Sequence, residues 1–303
     1  MRILILGGSG MLGHKLLAGL RHAGHDVSCT LREDRSVSPL ARLPLFSGPQ
    51  VFWNIDAIDW PSLRALLRTQ QPEIVINAIG IIKQRQLATS AIPSIQINAL
   101  LPHQLAETVA SWSGRLIHFS SDCVFSGERG NYTERDNCDA VDLYGRSKFL
   151  GEVTNAPNAV TLRSSIIGRE LQHHQSLLDW FLSNNHREAK GFTRVVYSGL
   201  TTNEFVTVVN RIITRHPELS GLYQVASKPL SKHDLLRLIA DAFHLDVRII
   251  PTAEPVSDRS FSGAKFTTAT GYVAPPWPEL IAALASDDIP YGEWLELIRG
   301  KTT

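Results

Sequence analysis

A glycine-rich turn near the start of the chain constrains the fold most strongly. The turn follows a short apolar run typical of a strand and precedes a segment of helical period. Glycines recur at every third position in it, Gly7, Gly10 and Gly13, where they let the backbone approach a pyrophosphate while the helix N-terminus supplies N–H donors. A second strand completes a βαβ unit, so the pattern predicts dinucleotide binding rather than a merely structural turn. The residues predicted to contact the cofactor here are Gly7, Ser9, Gly10, Met11 and Leu12.

The end of the second predicted strand indicates which dinucleotide binds. In such folds an acidic residue bonds the ribose 2′-hydroxyl of NAD, whereas a basic residue accommodates the 2′-phosphate of NADP. The expected acidic position is close to the neutral Thr30, and Arg32 follows it. NADP is therefore favoured, while the nearby Glu33 and Asp34 leave NAD open. The alternative is that the charges of residues 32–35 only solvate a loop.

Short apolar runs alternate with segments of helical period, as expected for βαβ units around a parallel sheet. We predict an α/β fold: a Rossmann-type doubly wound parallel sheet over residues 1–163, and a smaller C-terminal α+β lobe over residues 164–303 that binds the substrate and returns segments to the first domain. In the first domain the predicted strands are Ile3–Leu6, Val27–Leu31, Val51–Ile55, Glu73–Asn77, Arg115–Ser120 and Ala159–Leu162, and the predicted helices are Met11–Ala23, Trp60–Thr69, Pro93–Trp112 and Tyr144–Val153. In the lobe they are strands Thr193–Tyr197 and Gly221–Val225 and helices Glu204–Thr214 and Ser231–Phe243.

Composition excludes several classes of function. The chain has 303 residues, of which 43% are hydrophobic and 19% charged, which is enough apolar sequence for a real core and argues against disorder. Its net charge of +1 provides no field for non-specific nucleic-acid or membrane binding, so we expect a small-molecule partner. Three cysteines without Cys-x-x-Cys spacing and an N-terminal apolar run too short for a signal segment predict a cytoplasmic protein. Two histidine pairs, His22 with His25 and His173 with His174, have no partner at metal-ligand spacing, so no metal is predicted.

A tyrosine and a lysine four residues apart form the second informative pattern. Tyr144 and Lys148 share one face if this segment is helical. A nearby cation favours the phenolate and lowers the pKa of a tyrosine, which makes proton transfer at neutral pH feasible. Ser121 stands at the end of a predicted strand, where its hydroxyl can reach the same carbonyl oxygen as the phenol. We predict that these three residues are catalytic.

The glycine loop and these three residues together resemble the extended short-chain dehydrogenase/reductases. Within that group the chain is similar to the dTDP-4-dehydrorhamnose reductase family of nucleotide-sugar reductases, over nearly its whole length. The segments that carry the resemblance are Gly7–Gly13, Val75–Gly80, Phe119–Phe125, Gly130–Asp136, Tyr144–Lys148, Gly151–Glu152, Leu162–Arg163, Gly221–Tyr223, Asp258–Ser262 and Gly271–Tyr272.

The resemblance implies roles for individual residues. Ser121 would polarise the substrate carbonyl, Tyr144 would donate the proton, and Lys148 would bind the nicotinamide ribose and lower the tyrosine pKa. The resemblance also implies that an acidic residue contacts the adenine, that a loop passes beside the adenosine ribose, and that a helix asparagine lies near the cofactor. The alternative for the asparagine is a structural role at a helix N-terminus. The residues implied at the cofactor are Asp56, Ala78, Ile79, Gly80 and Asn98. The implied substrate-binding residues are Lys83, Ser121, Asp122, Cys123 and Arg259. The alternative for Lys83 and Arg259 is that each is an ordinary charged residue of the surface.

The predicted activity is NADPH-dependent reduction of a 4-keto group on a nucleotide-activated deoxysugar, for surface polysaccharide biosynthesis. Cys123 stands where family members often have tyrosine, and residues 79–84 also depart from the usual pattern, so the identity of the sugar stays open. The alternatives are an epimerase of the same fold and a non-catalytic NADP-binding regulatory subunit. A dehydratase is disfavoured because Cys123 occupies the slot of its catalytic glutamate. A homodimer is the default expectation for a soluble oligomer.

Overall fold

The structure is a computed structural model that describes residues 1–81 and 90–300. Its strands are β1 (Arg2–Leu6), β2 (Asp26–Thr30), β3 (Val51–Phe52), β4 (Ile74–Asn77), β5 (Arg115–Phe119), β6 (Ala159–Arg163), β7 (Ile166–Ile167), β8 (Glu188–Phe192), β9 (Val195–Tyr197), β10 (Leu200–Thr201), β11 (Gly221–Gln224), β12 (Leu230–Ser231), β13 (Arg248–Thr252) and β14 (Ser257–Asp258). Its helices are α1 (Met11–His22), α2 (Trp60–Gln70), α3 (Ala91–Ser94), α4 (Leu101–Ala110), α5 (Leu143–Leu150), α6 (Leu177–Leu182), α7 (Thr202–Arg215), α8 (Lys232–Ala242), α9 (Ala264–Thr270), α10 (Trp277–Ala285) and α11 (Tyr291–Arg299).

The main sheet has seven parallel strands in the order β11-β6-β5-β4-β1-β2-β3. The strand order reverses between β1 and β4, which is the switch point at which open α/β sheets bind ligands. The predicted Rossmann-type doubly wound sheet is therefore confirmed. One strand of the sheet comes from beyond residue 163: Gly221–Gln224, which we assigned to the lobe, returns to the first domain and pairs with Val160–Arg163 at the edge of this sheet. A short apolar run predicts a strand but does not reveal its neighbour.

Alternation along β1 explains how both faces of the sheet are covered. Ile3 and Ile5 belong to one buried cluster, and Leu4 and Leu6 belong to another. Because successive strand side chains point to opposite faces, a strand whose last four residues are all apolar and buried must be packed on both sides. Helices α1 and α7 cover the first face, and α2 and α4 cover the second.

Close approach of α1 and α7 depends on Gly19. A Cβ at this glycine would lie 2.4 Å from Cγ1 of Val206, so the two helices pack with nothing between them at this point. Helix α7 lies beyond residue 163 in the chain but packs on a helix of the glycine-loop unit. The C-terminal segment thus contributes a helix and a strand to the main sheet layer.

A smaller set of sheets is built from the remaining C-terminal strands. Strands β8 and β13 form a parallel pair, β9 lies between β12 and β14, and β7 pairs with β10. Helices α8 and α10 pack together beside them. This layer connects to the carboxyl end of β6, since β7 begins only three residues after β6 ends.

Several boundaries differ from the predicted ones. The predicted helix Pro93–Trp112 begins at Ala91 and ends at Ala110, and a π-helical turn at Ile95–Leu100 joins α3 to α4. The strand predicted to reach Ile55 ends at Phe52. The sequence pattern did not reveal α9, α10 or α11, of which α10 follows the Pro-rich segment near residue 276 directly.

Candidate active site

The predicted site residues converge on the carboxyl edge of the main sheet. The glycine loop follows β1, Ala78–Ile81 follows β4, and Ser120 and Ser121 follow β5. Parallel strands bring these ends to one edge, so residues far apart in sequence become neighbours. Contact across the switch point is tight, because a Cβ at Gly7 would lie 2.9 Å from Cγ1 of Ile79.

The glycine loop is a cradle that side chains would fill. Gly7 has φ +82°, a conformation that favours glycine, and a Cβ at Gly13 would lie 2.0 Å from the Gly7 carbonyl oxygen. The Gly10 N–H donates to that oxygen at 3.1 Å, and α1 begins at the next residue. N–H groups in the first turn of a helix have no acceptor within it, so those of Met11 and Leu12 suit a pyrophosphate. The loop therefore fits the predicted dinucleotide.

Thr30 closes this loop where an NAD-binding fold would present an acid. The Gly7 N–H donates to the Thr30 hydroxyl at 3.2 Å, and the Gly8 N–H donates to the Thr30 carbonyl at 2.9 Å. Glu33 accepts a hydrogen bond from Ser38, and Asp34 accepts from the Ser36 N–H and hydroxyl. Both carboxylates are thus engaged within their own loop, whereas Arg32 is exposed beside the strand end. This arrangement fits a 2′-phosphate better than a 2′-hydroxyl.

Asn98 ties the loop after β4 to the catalytic helix. Its side-chain oxygen accepts from the Ile81 N–H at 2.9 Å, and its amide nitrogen donates to the Ile81 carbonyl at 3.0 Å and to the Ser147 hydroxyl at 3.2 Å. It lies inside the π-helical turn, so the alternative of a helix N-terminal role does not hold. A Cβ at Gly151 would lie 1.9 Å from the Asn98 carbonyl oxygen, which shows how closely the two helical segments pack.

Other predicted cofactor residues lie on the same edge. The Ala78 N–H donates to the Leu6 carbonyl at 3.1 Å, and the Ile79 N–H donates to the Asn77 side chain at 3.1 Å. Gly80 is exposed. Asp56, in the loop after β3, accepts from the Ile58 N–H at 3.0 Å. Direct contact of these residues with a cofactor stays a prediction.

The predicted catalytic residues meet where β5 ends and α5 begins. The Ser121 hydroxyl accepts from the Cys123 N–H and donates to the Asp122 carboxylate, both at 3.1 Å, and it also bonds the Tyr144 side chain. Tyr144 and Lys148 lie one turn apart on α5, as predicted. The Lys148 ammonium donates to the Phe119 carbonyl at 2.6 Å, which draws it to the end of β5.

Two features hold α5 in this place. Asp142 caps the helix by accepting from the Gly145 N–H at 2.9 Å. A Cβ at Gly145 would lie 2.1 Å from the Cys123 carbonyl oxygen, so only glycine permits this contact with the Ser121 turn. The cap and the glycine therefore fix the distance between the tyrosine and the serine.

The electrostatics of the site differ from the expectation in one respect. Burial raises the pKa of Tyr144, and the nearby Cys123 and Asp122 raise it further, while the hydrogen bond with Ser121 acts in the opposite direction. We expected Lys148 to lower this pKa. Burial instead lowers the pKa of Lys148 to about 8, and its ammonium is directed at a backbone carbonyl. Tyr144 therefore keeps its proton at neutral pH in this state, as a proton donor must.

A buried ion pair supports the strand ends beneath these residues. The Arg163 guanidinium donates to both Glu152 oxygens at 2.7 Å, and both side chains are 2% exposed. Ser120 donates to the same carboxylate at 2.7 Å. The pair thus links β6, the end of α5 and the residue before Ser121. The sequence pattern showed Glu152 and Arg163 only as part of the family resemblance, because nothing local reveals that they pair.

The predicted substrate residues are placed less uniformly. Asp122 and Cys123 lie partly exposed beside Ser121. Arg259 donates to the Phe125 and Ser126 carbonyls at 2.9 and 3.0 Å, so part of its guanidinium supports the loop after the Ser121 turn. Lys83 lies outside the described residues. Substrate contact by any of them stays a prediction.

Neither a metal cluster nor a membrane span is found in the part of the chain that the structure describes. No group of three or more His, Cys, Asp or Glu side chains among residues 1–81 and 90–300 could hold an ion. No helix within those ranges is long and apolar enough to cross a bilayer.

The fold and the arrangement of its residues define an extended short-chain dehydrogenase/reductase. A glycine cradle, a serine at the end of β5 and a tyrosine and lysine on α5 stand together at the switch edge of the sheet. The chain belongs to the RmlD substrate binding domain family, whose profile matches residues 1–265. The predicted family resemblance is confirmed.

Three similar proteins illustrate the range of relatives. A dTDP-4-dehydrorhamnose reductase of Aggregatibacter actinomycetemcomitans is 26% identical over 252 residues, which are 79% of this chain and 78% of that protein. Methionine adenosyltransferase 2 subunit beta of Mus musculus is 22% identical over 285 residues, 87% of this chain and 78% of that protein. The structure of a dTDP-4-dehydrorhamnose reductase from Bacillus anthracis in complex with NADP has a TM-score of 0.76 at 19% identity, covering 93% of this chain and 98% of that one, and shows the shared fold.

Proposed function

We propose that the protein is an NADPH-dependent reductase of the 4-keto group of a nucleotide-activated deoxysugar. The observation that carries the proposal is the meeting of Ser121, Tyr144 and Lys148 at the sheet edge beside the glycine cradle. The reductases named among the relatives support a nucleotide-sugar substrate. The sugar and its base are left open by the departures at Cys123 and in residues 79–84.

The chain's own groups perform the proton and positioning steps. The hydroxyls of Ser121 and Tyr144 face one carbonyl oxygen, and Tyr144 gives its proton to that oxygen as negative charge develops. Lys148 holds the ribose next to the tyrosine and, as a cation, stabilises the phenolate that remains. When bound, the nicotinamide supplies the hydride to the carbonyl carbon.

NADP is the proposed cofactor, with NAD as the alternative. Arg32 would contact the 2′-phosphate, since Glu33 and Asp34 are bound within their own loop. The Bacillus anthracis relative is in complex with NADP, which supports this choice. Residues 164–303 would carry the substrate lobe, with Asp122, Cys123 and Arg259 beside it. A cytoplasmic location and a homodimer remain predictions.

A non-catalytic regulatory subunit is the second candidate. The similarity to methionine adenosyltransferase 2 subunit beta over 87% of this chain favours it. The two candidates differ in turnover: a regulatory subunit binds NADPH without oxidising it. An epimerase of the same fold would convert a nucleotide sugar into its epimer and leave no net oxidised cofactor.

The test is NADPH and NADH oxidation with a panel of UDP-, dTDP- and GDP-linked 4-keto sugars. We expect turnover with one base, and a loss of about 10²- to 10⁴-fold in Tyr144→Phe with NADPH affinity kept. Tyr223→Phe is the matched control, since Tyr223 lies on β11, two strands from β5, with Lys265 over its ring, and the activity of this variant should equal the wild type. Tight NADPH binding without oxidation across the panel contradicts the reductase and favours the regulatory subunit or an epimerase.

A further inference from the structure

A second phenol approaches the site from the smaller layer. Tyr197 is the last residue of β9 and pairs with Leu230 of β12. Its ring packs against Trp277 with ring centroids 5.5 Å apart, and Trp277 is itself fixed by donating from its indole nitrogen to the Lys228 carbonyl at 2.7 Å. These contacts hold the Tyr197 ring within the lobe.

The hydroxyl ends next to the strand that neighbours Ser121. A Cβ at Gly199 would lie 2.5 Å from the Tyr197 hydroxyl and 2.0 Å from the Ser165 carbonyl oxygen, so both atoms border the same small space. Ser165 follows β6 by two residues, and β6 pairs with β5, whose end carries Ser121. The absence of a side chain at Gly199 lets the phenol approach this edge.

The Tyr197 hydroxyl has no well-formed hydrogen bond anywhere in residues 1–81 and 90–300, although it is buried. The Ser165 side chain lies near enough to lower the pKa of Tyr197 as a hydrogen-bonding neighbour, but the two groups do not meet the geometry of a hydrogen bond. A buried hydroxyl without a partner is costly, and phenylalanine would fill the same space without that cost. A tyrosine here is therefore best explained by a partner that arrives with a ligand.

The Asp122 carboxylate connects the two phenols. It lies beside Ser121, and it raises the pKa of both Tyr144 and Tyr197. Burial raises the pKa of Tyr197 most, so its hydroxyl is protonated at neutral pH and acts as a donor. A phenol that donates and a carboxylate that accepts together match the two hydrogen-bonding capacities of an alcohol.

We propose that Tyr197 is a specificity residue that donates a hydrogen bond to a sugar hydroxyl next to the ketone, with Asp122 accepting from the same sugar. The substrate then carries a free hydroxyl on a carbon adjacent to the carbonyl carbon, and a deoxy or alkylated analogue at that carbon is a poor substrate. This inference rests on the proposed reductase function, because it takes the ligand at Ser121 and Tyr144 to be a keto sugar.

The test compares two tyrosines that differ in whether their hydroxyl is paired. Tyr197→Phe should lower kcat/KM about 10- to 100-fold, leave NADPH affinity unchanged, and keep or raise the thermal midpoint, since it removes an unpaired group. Tyr272→Phe is the control, because Tyr272 donates to Glu204 at 2.8 Å outside the site. That variant should lower the thermal midpoint and leave kcat/KM unchanged. A Tyr197→Phe variant that is less stable but kinetically normal overturns the proposal.

A substrate analogue and a binding experiment complete the test. The analogue lacking the adjacent hydroxyl should be poor with wild type and no poorer with Tyr197→Phe. Calorimetry with NADP⁺ and either dTDP-rhamnose or UDP-glucose separates this inference from the proposed function, because it needs no turnover. Binding that Tyr197→Phe weakens, without reduction of any keto sugar, refutes the reductase and leaves the role of Tyr197 intact. Equal binding to both proteins refutes the role of Tyr197 alone, and no binding to either refutes both.

Discussion

Replacing Glu152 by glutamine tests how much the buried ion pair stabilises the site. The change keeps the shape of the side chain, so it creates no cavity, but it leaves the Arg163 charge unpaired at 2% exposure. Arg163 would keep its contact with the Cys138 sulfur at 3.1 Å, its position over the Phe125 ring at 5.1 Å from the ring centroid, and at most a neutral amide oxygen at position 152 as an acceptor. Removing one partner of such a buried pair costs about 3–5 kcal/mol. We therefore expect Glu152→Gln to lower the free energy of unfolding by that amount in urea denaturation.

A surface pair of the same chemistry is the matched control. Arg248 donates to Glu188 at 2.8 Å, but these side chains are 75% and 61% exposed. Solvent screens such a pair, so Glu188→Gln should leave the urea midpoint within experimental error. The two variants remove the same charge at nearly the same distance, and burial is the main difference between them.

The double variant Glu152→Gln with Arg163→Met tests whether the unpaired Arg163 charge causes the loss of stability. Without the arginine no buried charge remains unpaired, and the amide oxygen introduced by Glu152→Gln can still accept from Ser120, so most of the lost stability should return. The ion pair does not stabilise the site as argued if the free energy of unfolding of Glu152→Gln is within about 1 kcal/mol of the wild-type value, because that loss is too small for an unpaired buried charge. The same conclusion follows if the double variant is less stable than Glu152→Gln alone.

Three further changes probe the cofactor unit. His14 is fully buried, and burial lowers its pKa from 6.5 to about 4, so the folded state resists protonation of this side chain. The stability that neutral His14 provides is complete above pH 6.5, and about 3 kcal/mol of it is lost as the pH falls to about 4. Urea titrations at each pH should show this loss in wild type and not in His14→Gln. Arg32→Ala should weaken NADPH binding about 10-fold or more while NADH binding stays the same, as measured by fluorescence titration, and equal losses for both cofactors would refute its role at the 2′-phosphate. Gly13→Ala should abolish NADPH binding because its Cβ would meet the Gly7 carbonyl at 2.0 Å, whereas Gly292→Ala, with open space around it, should bind normally.

Local patterns were sufficient where one segment contains the whole feature. The glycine loop could be predicted because its strand, turn and helix are contiguous, and Tyr144 and Lys148 because helical period alone places them on one face. The fold class followed from the repeated alternation of strand and helix. These features depend on sequence separations of a few residues.

Features that depend on distant partners could not be predicted. Gly221–Gln224 joins the main sheet through pairing with β6, and Lys148 donates to the Phe119 carbonyl while burial has the largest effect on the pKa of Tyr144. Asn98 bonds Ile81 and Ser147 across three segments. In each case the tertiary fold supplies the partner, and burial then determines the electrostatics.

In the proposed reaction a hydride reaches the carbonyl carbon of a keto sugar while Tyr144 protonates its oxygen. The most direct measurement uses NADPH deuterated at the transferable position with the keto-sugar nucleotide that is turned over, followed by mass spectrometry and NMR of the product. Wild type should place one deuterium on the former carbonyl carbon, and Tyr144→Phe should form this labelled product about 10²- to 10⁴-fold more slowly. A product without deuterium at that carbon, or formation of labelled product by the variant at the wild-type rate, would refute this mechanism.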